Sequence, residues 1–278
     1  MGSQNYILPL RDANFSNIAL VGGKAASLGE LITAGLHVPD GFVITTNAYN
    51  AQNDVSTIIA EAERTFDSLS LDRVAVRSSA VGEDAGDSSW AGQLDTVLNV
   101  TREGLKDAIE HCWQSMQSSR AQAYAMDNNI SKDEQSVAVV IQKMVDADVA
   151  GVAFTVNPVN GDQNQLIIEA IYGLGELLVQ GSVTPESLVI DRKSGQIIDR
   201  SEHRQARQLA HKNGENVEIP VRGKGPILSD MMIESLLQQC IRIEDYYGKP
   251  QDIEFAFEDS DLFIVQSRPI TTLNNGGL

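Results

Sequence analysis

The stretch DIEFAFEDSDLFIVQSRPITT near the end of the chain carries the densest candidate chemistry. Glu254 lies among apolar residues of strand character, where an unpaired carboxylate is costly. Gln266 and Arg268 are two residues apart and so share one face of an extended strand. A hairpin turning across Glu258–Asp261 would bring Glu254, Gln266 and Arg268 together. Two oxygen ligands and a guanidinium suit Mg²⁺ carrying a polyphosphate, and a buried Glu254–Arg268 ion pair is the alternative. A second cluster is VAVRSSAVGED, Val74–Asp84. There Arg77 ends an apolar strand and can grip a phosphate through its planar fork, or pair with Glu83 or Asp84. Ser78 and Ser79 add hydroxyl or backbone donors. A third is Gly22-Gly23-Lys24 at a helix entrance, where free N–H groups and the helix dipole favour an anion. It lacks the G-x-x-x-x-G-K-[ST] spacing of a P-loop, and a glycine turn capped by an exposed lysine is the plain reading. Arg120, by itself, is a solvated residue of a helix whose other face is apolar.

These residues need an alternating scaffold. Apolar spacing predicts helices over Val21–Gly35, around Val55–Phe66, from Leu105 through Arg120 to Tyr124, and over Met231–Tyr247. Strands are predicted at Asn5–Leu10, Phe42–Thr46, Arg73–Ser79, Leu94–Val100, Val137–Val145, Val149–Thr155 and Gln165–Ala170. Hairpins follow at Leu188–Asp191 with Gln196–Arg200 and at Ile253–Phe257 with Leu262–Gln266. Irregular alternation with hairpin-linked strands argues for α+β lobes rather than a doubly wound sheet. Between two strands, Ser88–Thr96 is rich in small residues around Trp90, which suits a mobile lid.

The chain has 278 residues, 42% of them hydrophobic, enough for two lobes with real cores. A formal net charge of −17 argues against a nucleic-acid partner, and it means that an anionic ligand needs a locally positive site. Cys112 and Cys240 have no metal-binding spacing and read as buried thiols. No secretory signal or membrane-length apolar run is visible, so a cytoplasmic protein without a membrane partner is expected.

Six segments, VGGKAASLGEL, VPDGFVITTNAY, AVRSSAVGEDAGDSSWAGQLDTVLNV, VVIQKMVDADVAGVAFTVNP, EAIYGLGELLVQGSVTPE and PQDIEFAFEDSDLFIVQSRPIT, occur in order from residue 21 to 271. Together they resemble the nucleotide-binding domain of the phosphoenolpyruvate synthase, pyruvate phosphate dikinase and rifampin phosphotransferase family. The resemblance implies an ATP-grasp fold of two lobes, residues 1–145 and 146–278, enclosing ATP. It implies that Lys24, Arg77, Arg120 and Arg268 contact phosphates and that Glu254 and Gln266 hold Mg²⁺. The strand end Gln142, Lys143, Met144 and Val145 would line adenine, and Glu169 or Glu176 would lie near the ribose or metal. In that family the β-phosphate of ATP ends on a histidine of a separate swivelling domain, giving AMP and phosphate. The histidine then phosphorylates a small-molecule acceptor such as pyruvate or rifampin.

The sequence departs from the full-length enzymes in several places. His37, His111, His203 and His211 lie in no carrier-histidine motif, and the family's usual S-F-A-G-Q carries Trp90 in place of Phe. The resemblance therefore implies a histidine-bearing swivel domain or subunit as partner. Alternatives are a regulatory nucleotide-binding module without transfer chemistry and an ordinary ATP-grasp ligase.

Overall fold

The computed structural model describes residues 5–51, 54–82, 95–127, 135–212, 214–223 and 225–271. The chain divides into two compact units, Met1–Gly35 with Pro39–Met144, and Leu36–Val38 with Val145–Leu278.

The first unit contains β1 (Ile7–Pro9), α1 (Ile18–Thr33), β2 (Gly41–Ile44), α2 (Thr46–Asn50), α3 (Val55–Ser68), β3 (Val74–Ala80) and β4 (Thr96–Val100). It continues with α4 (Leu105–Ser115), α5 (Ser119–Asp127) and β5 (Val137–Lys143). Its strands pair antiparallel in the order β1-β2-β5-β3-β4. Phe42, Val74, Val76, Val139 and Ile141 pack with Ile58, Ala62 and Phe66 of α3 and with Leu105, Ile109, Cys112 and Trp113 of α4. The opposite sheet face meets α1, which packs on β3 and β5.

Sequence periodicity ran one helix from Leu105 to Tyr124, but the structure breaks it into α4 and α5. The break is rich in serine. Ser115 Oγ bonds back to the Cys112 carbonyl (2.7 Å), and Ser118 Oγ accepts the Ala121 N–H (3.2 Å), so hydroxyls compete with the helical ladder. Arg120 consequently lies in the first turn of α5.

The second unit contains β6 (Val149–Phe154), β7 (Gln165–Tyr172), α6 (Glu176–Val179), β8 (Glu186–Asp191), β9 (Ile197–Ser201), β10 (Arg207–Lys212) and β11 (Glu215–Pro220). It ends with α7 (Asp230–Tyr247), β12 (Gln251–Glu258) and β13 (Asp261–Pro269). Six strands pair antiparallel in the order β13-β12-β6-β7-β8-β9. Strand alternation splits this sheet into two faces. One face is apolar and buried, with Ile253, Phe255, Phe257, Ala153, Leu166, Ile168, Leu188 and Ile190. The α7 helix packs on β12 and β13 and contributes buried Ile233, Leu236, Cys240 and Ile243. Its N-cap is Ser229, whose hydroxyl accepts the Met232 N–H, and it ends at Gly248 in the left-handed region (φ 65°).

The hairpin β10–β11 and the short α6 were not expected from periodicity. Asn213-Gly214 stood as a hairpin dipeptide between them, with Lys212 opposite Glu215.

A buried carboxylate fastens the second unit. Glu186 is 1% exposed. One oxygen pairs with Arg200 (2.6 Å), and the other accepts the backbone N–H groups of Ile227 and Leu228 (both 2.9 Å). Every acceptor direction is used, so the charge is compensated where burial would otherwise penalise it. Removing it in Glu186→Ala takes away Arg200's buried carboxylate and strands two buried amides. Urea unfolding should show a loss of about 3–5 kcal/mol; a loss below ~1 kcal/mol would show that water replaces the clamp.

Candidate functional site

In the first unit, Gly22 carries φ 76° and ψ 169°, a glycine-only conformation that breaks α1 one turn before its regular part. A Cβ there would collide with the backbone and hydroxyl of Ser79. Ser79 Oγ donates to the Val21 carbonyl (2.9 Å) and accepts the Ala25 N–H (3.1 Å). The end of β3 thus caps the restarted helix, and Lys24 projects from that cap. Lys24 is 7% exposed, buried rather than the exposed turn lysine of the plain reading.

Arg77 is buried on the α1 side of the sheet and donates from Nη1 to Gln142 Oε1 (3.1 Å). Gln142 is itself buried, and its Nε2 finds no acceptor among the described residues. Arg77's proposed carboxylate partners, Glu83 and Asp84, lie outside the described residues, as does most of the expected lid Ser88–Thr96. The two serines after Arg77 are not spare donors. Ser79 is spent on α1, and Ser78 Oγ faces the other way, toward the Asp95 carbonyl (3.1 Å) and Ser115 Oγ (3.3 Å). Arg120 reaches Asp95 Oδ1 (3.4 Å), while His111 Nε2 meets Asp95 Oδ2 (3.1 Å); all three are well exposed. At the end of β5, the Lys143 N–H is taken by Asp40 O and the Met144 N–H by Arg73 O. Val145 is buried and belongs to the second unit.

The second unit places its candidates on the polar face of the large sheet. Glu254 lies directly across from Gln266 on β13 and from Val152 on β6, and Val152 lies across from Glu169 on β7. Gln266, Glu254 and Glu169 therefore form one row over four strands, with Glu254 and Glu169 about 10 Å apart at two strand spacings. A register shift between Glu254 and Phe255 leaves Val265 as an extra residue on β13, next to the row. Glu176 stands in the first turn of α6 and accepts from Gln180 (3.0 Å).

Arg268 lies two pairs further along, past Ile253–Ser267, opposite Asp252. Its Nε and Nη2 both donate to Asp252 Oδ2 (2.8 and 2.7 Å). Asp252 is the partner of Arg268 that sequence reading missed, although Asp252 and Glu254 are two residues apart in DIEF and so share a face. Burial pushes the Asp252 carboxyl above its ordinary value, Arg268 pulls it back down, and Glu254 adds to the rise.

No cluster of three or more His, Cys, Asp or Glu that could hold a metal exists among the described residues. The adjacent Glu254–Gln266 pair still fits Mg²⁺, which takes one or two protein oxygens and completes its shell with phosphate and water. Burial raises the Cys112 thiol to about 11 and the Cys240 thiol as well, so neither supplies a thiolate nucleophile at neutral pH.

A family model described as "Pyruvate phosphate dikinase, AMP/ATP-binding domain" matches residues 18–74 and 51–277. The chain belongs to this family. Among curated relatives of this pyruvate phosphate dikinase-type domain is a probable phosphoenolpyruvate synthase of Archaeoglobus fulgidus, 36% identical, with 96% of this chain and 42% of the relative covered. Another, of Methanothermobacter thermautotrophicus, is 35% identical, with 96% and 46% covered. A rifampicin phosphotransferase of Streptomyces sviceus is also 35% identical, with 98% and 36% covered. The chain thus spans less than half the length of these relatives. The alignments run over 315 to 318 positions for a chain of 278 residues, so the relatives carry residues in the matched region that this dikinase-type domain lacks. Likeness to solved structures is loose, with a TM-score of 0.43 to an L-amino acid ligase of Bacillus licheniformis (9% identical, covering 92% of this chain and 43% of that one). No described helix is long and apolar enough to cross a membrane.

Two measurements probe this geometry. Gly22→Ala should cost at least about 2 kcal/mol in urea unfolding, because the conformation admits only glycine; a near-neutral result would mean that the α1 break relaxes freely. For Asp252, the folded carboxyl lies above its unfolded value, so the fold favours the protonated form. Stability from this group is present at low pH and is lost as pH rises through the folded value. The stability of the wild type minus that of Asp252→Asn should therefore fall as pH rises from about 3 through the raised value. A difference that grows with pH would show that Arg268 outweighs burial.

Proposed function

We propose that this chain binds MgATP and passes the β-phosphate to a carrier histidine on a separate swivel domain or subunit, leaving AMP. The observation that carries the reading is the one-sided grouping of Gln266, Glu254, Asp252 and Arg268, which presents hard oxygens beside a guanidinium on a single sheet face. In this reading Glu254 and Gln266 hold Mg²⁺, which neutralises charge on the phosphates. Lys24, Arg77, Arg120 and Arg268 contact phosphate oxygens and steady the charge that builds during transfer. Asp252 holds the Arg268 guanidinium in place until phosphate competes for it. The strand end Gln142–Val145 lines adenine, and since the Lys143 and Met144 N–H groups are engaged, Gln142 Nε2 is the donor that a ligand would satisfy. Glu169 or Glu176 lies near the ribose or the metal.

The swivel partner supplies the nucleophile. The histidines of this chain have other neighbours: His37 stacks on Phe263, His111 meets Asp95, His203 meets the Pro185 carbonyl and His211 meets Asn216. The final acceptor, such as pyruvate or rifampin, would sit on that partner or on a further domain. A cytoplasmic setting follows from this chemistry, which draws on the cellular ATP pool.

Calorimetry with MgATP should give saturable binding, and nucleotide at 100 times Kd should stabilise the fold by about 2.7 kcal/mol. Glu254→Ala should weaken Mg²⁺-dependent binding by about tenfold or more, the scale of one lost charge-assisted contact. AMP should accumulate only when a histidine swivel domain is added. Absence of binding at millimolar nucleotide would sink the reading, and rapid AMP release by the chain alone would remove the need for a carrier.

A further inference from the structure

The hairpin β10–β11 of the second unit carries a cavity of about 380 Å³ lined by Gln208, Lys212, Ile219, Pro220 and Arg222. That volume falls in the range of small-molecule sites. Both ends of the hairpin are tied to Tyr172, the last residue of β7. Ahead of β10, the buried Gln205 accepts the Tyr172 N–H on Oε1 (2.7 Å) and donates from Nε2 to the Tyr172 carbonyl (3.0 Å). After β11, Gly223 packs against the Tyr172 ring. Between them, the Leu209 carbonyl accepts the Leu174 N–H (3.0 Å). Gln208 lies directly opposite Ile219, and Lys212 is four residues along the same strand, so these three share one face of the hairpin.

The charge of this cavity is one-sided. Lys212 and Arg222 both line it, and no acid does. Elsewhere in the unit Arg192, Arg200, Arg207 and Arg268 each pair with a carboxylate, from Glu244, Glu186, Glu218 and Asp252. Lys212 and Arg222 form no ion pair among the described residues. Glu218 is engaged by Arg207 at 2.9 Å, and Glu215, opposite Lys212 in the register, does not line the cavity. The chain has 38 acids against 21 bases, so two cations sharing a cavity without an acid stand out. They repel each other until an anion joins them. Arg222 offers a planar fork to a carboxylate or phosphate, and Lys212 adds a point charge. The partly buried Ile219 and its neighbour Pro220 supply apolar surface beside these charges. Two cations next to an apolar strip suit an oxyanion on a compact apolar body better than a bare inorganic ion.

We propose that this cavity binds a small organic oxyanion, a carboxylate or phosphate monoester, with its charge between Lys212 and Arg222 and its apolar body on Ile219 and Pro220. The site is independent of the nucleotide reading, since none of its residues belongs to the Glu254, Gln266 and Arg268 group or to the first unit.

The test uses the full chain, with sodium benzoate, phenyl phosphate, inorganic phosphate and benzyl alcohol as probes. Backbone NMR shifts should show saturable binding of benzoate or phenyl phosphate centred on Gln208, Lys212, Ile219 and Arg222, and the tighter of the two names the oxyanion. Inorganic phosphate lacks the apolar body and benzyl alcohol lacks the charge, so each should bind roughly tenfold more weakly. Lys212 and Arg222 are exposed, so Lys212→Gln and Arg222→Gln should fold normally. Each should weaken the organic anion by about tenfold, the scale of one charge-assisted contact. Lys193→Gln removes the same charge from an exposed lysine outside the cavity and should leave the affinity unchanged. MgATP affinity should also be unchanged in the two cavity variants. The proposal fails if neither anion gives saturable shifts at these residues, if Lys193→Gln weakens binding as much as Lys212→Gln, or if MgATP binding falls in parallel in the cavity variants.

Discussion

An antiparallel pair puts directly opposed residues on the same side of the sheet, and the chemistry of the second unit rests on that constraint. Glu254, Gln266, Asp252, Arg268 and Glu169 come from three strands, yet all emerge on one face because each is an even step from the others in register. The odd positions, Ile253, Phe255 and Phe257, go to the core under α7. A one-residue slip would bury the charges and expose the aromatics, so the apolar face enforces the polar one. The buried Glu186–Arg200 pair acts on the same sheet from further out, tying β8 and β9 to the segment that leads into α7.

The first unit solves a different problem with β3. Three consecutive residues of one strand take three tasks. Arg77 faces α1 and Gln142, Ser78 faces α4, and Ser79 caps the break in α1. Only the first has a charge that could serve a ligand. The buried Lys24 depends on the same contact, because Ser79 occupies the space that a side chain at Gly22 would need.

Much of this was legible in the sequence. The terminal hairpin and the apolar strands follow from two-residue patterns, and the six ordered segments pointed to the family that the matched model names, whereas Gly22-Gly23, expected at a helix entrance, instead breaks a helix that already begins at Ile18. What escaped was local competition. Ser115 and Ser118 split a helix whose apolar spacing continues unbroken through them. Asp252 hid as one more acid in an acidic chain, since its role appears only when β13 brings Arg268 opposite.

The segment Leu36–Val38, which leaves α1 for β2, belongs with the second unit rather than the first. There the His37 carbonyl accepts the Ile264 N–H (2.9 Å), and the His37 ring lies 4.1 Å from that of Phe263. These three residues therefore cover the outer edge of β13, which would otherwise offer unpaired backbone groups. The cover is separated from what it covers by 225 positions in the chain. During synthesis the segment emerges well before β13 and has nothing to pair with until that strand has left the ribosome. Closing so long a loop is entropically expensive and slow. The second unit's edge is thus sealed late, and a fragment beginning at Val145 would carry that edge open to any strand it met.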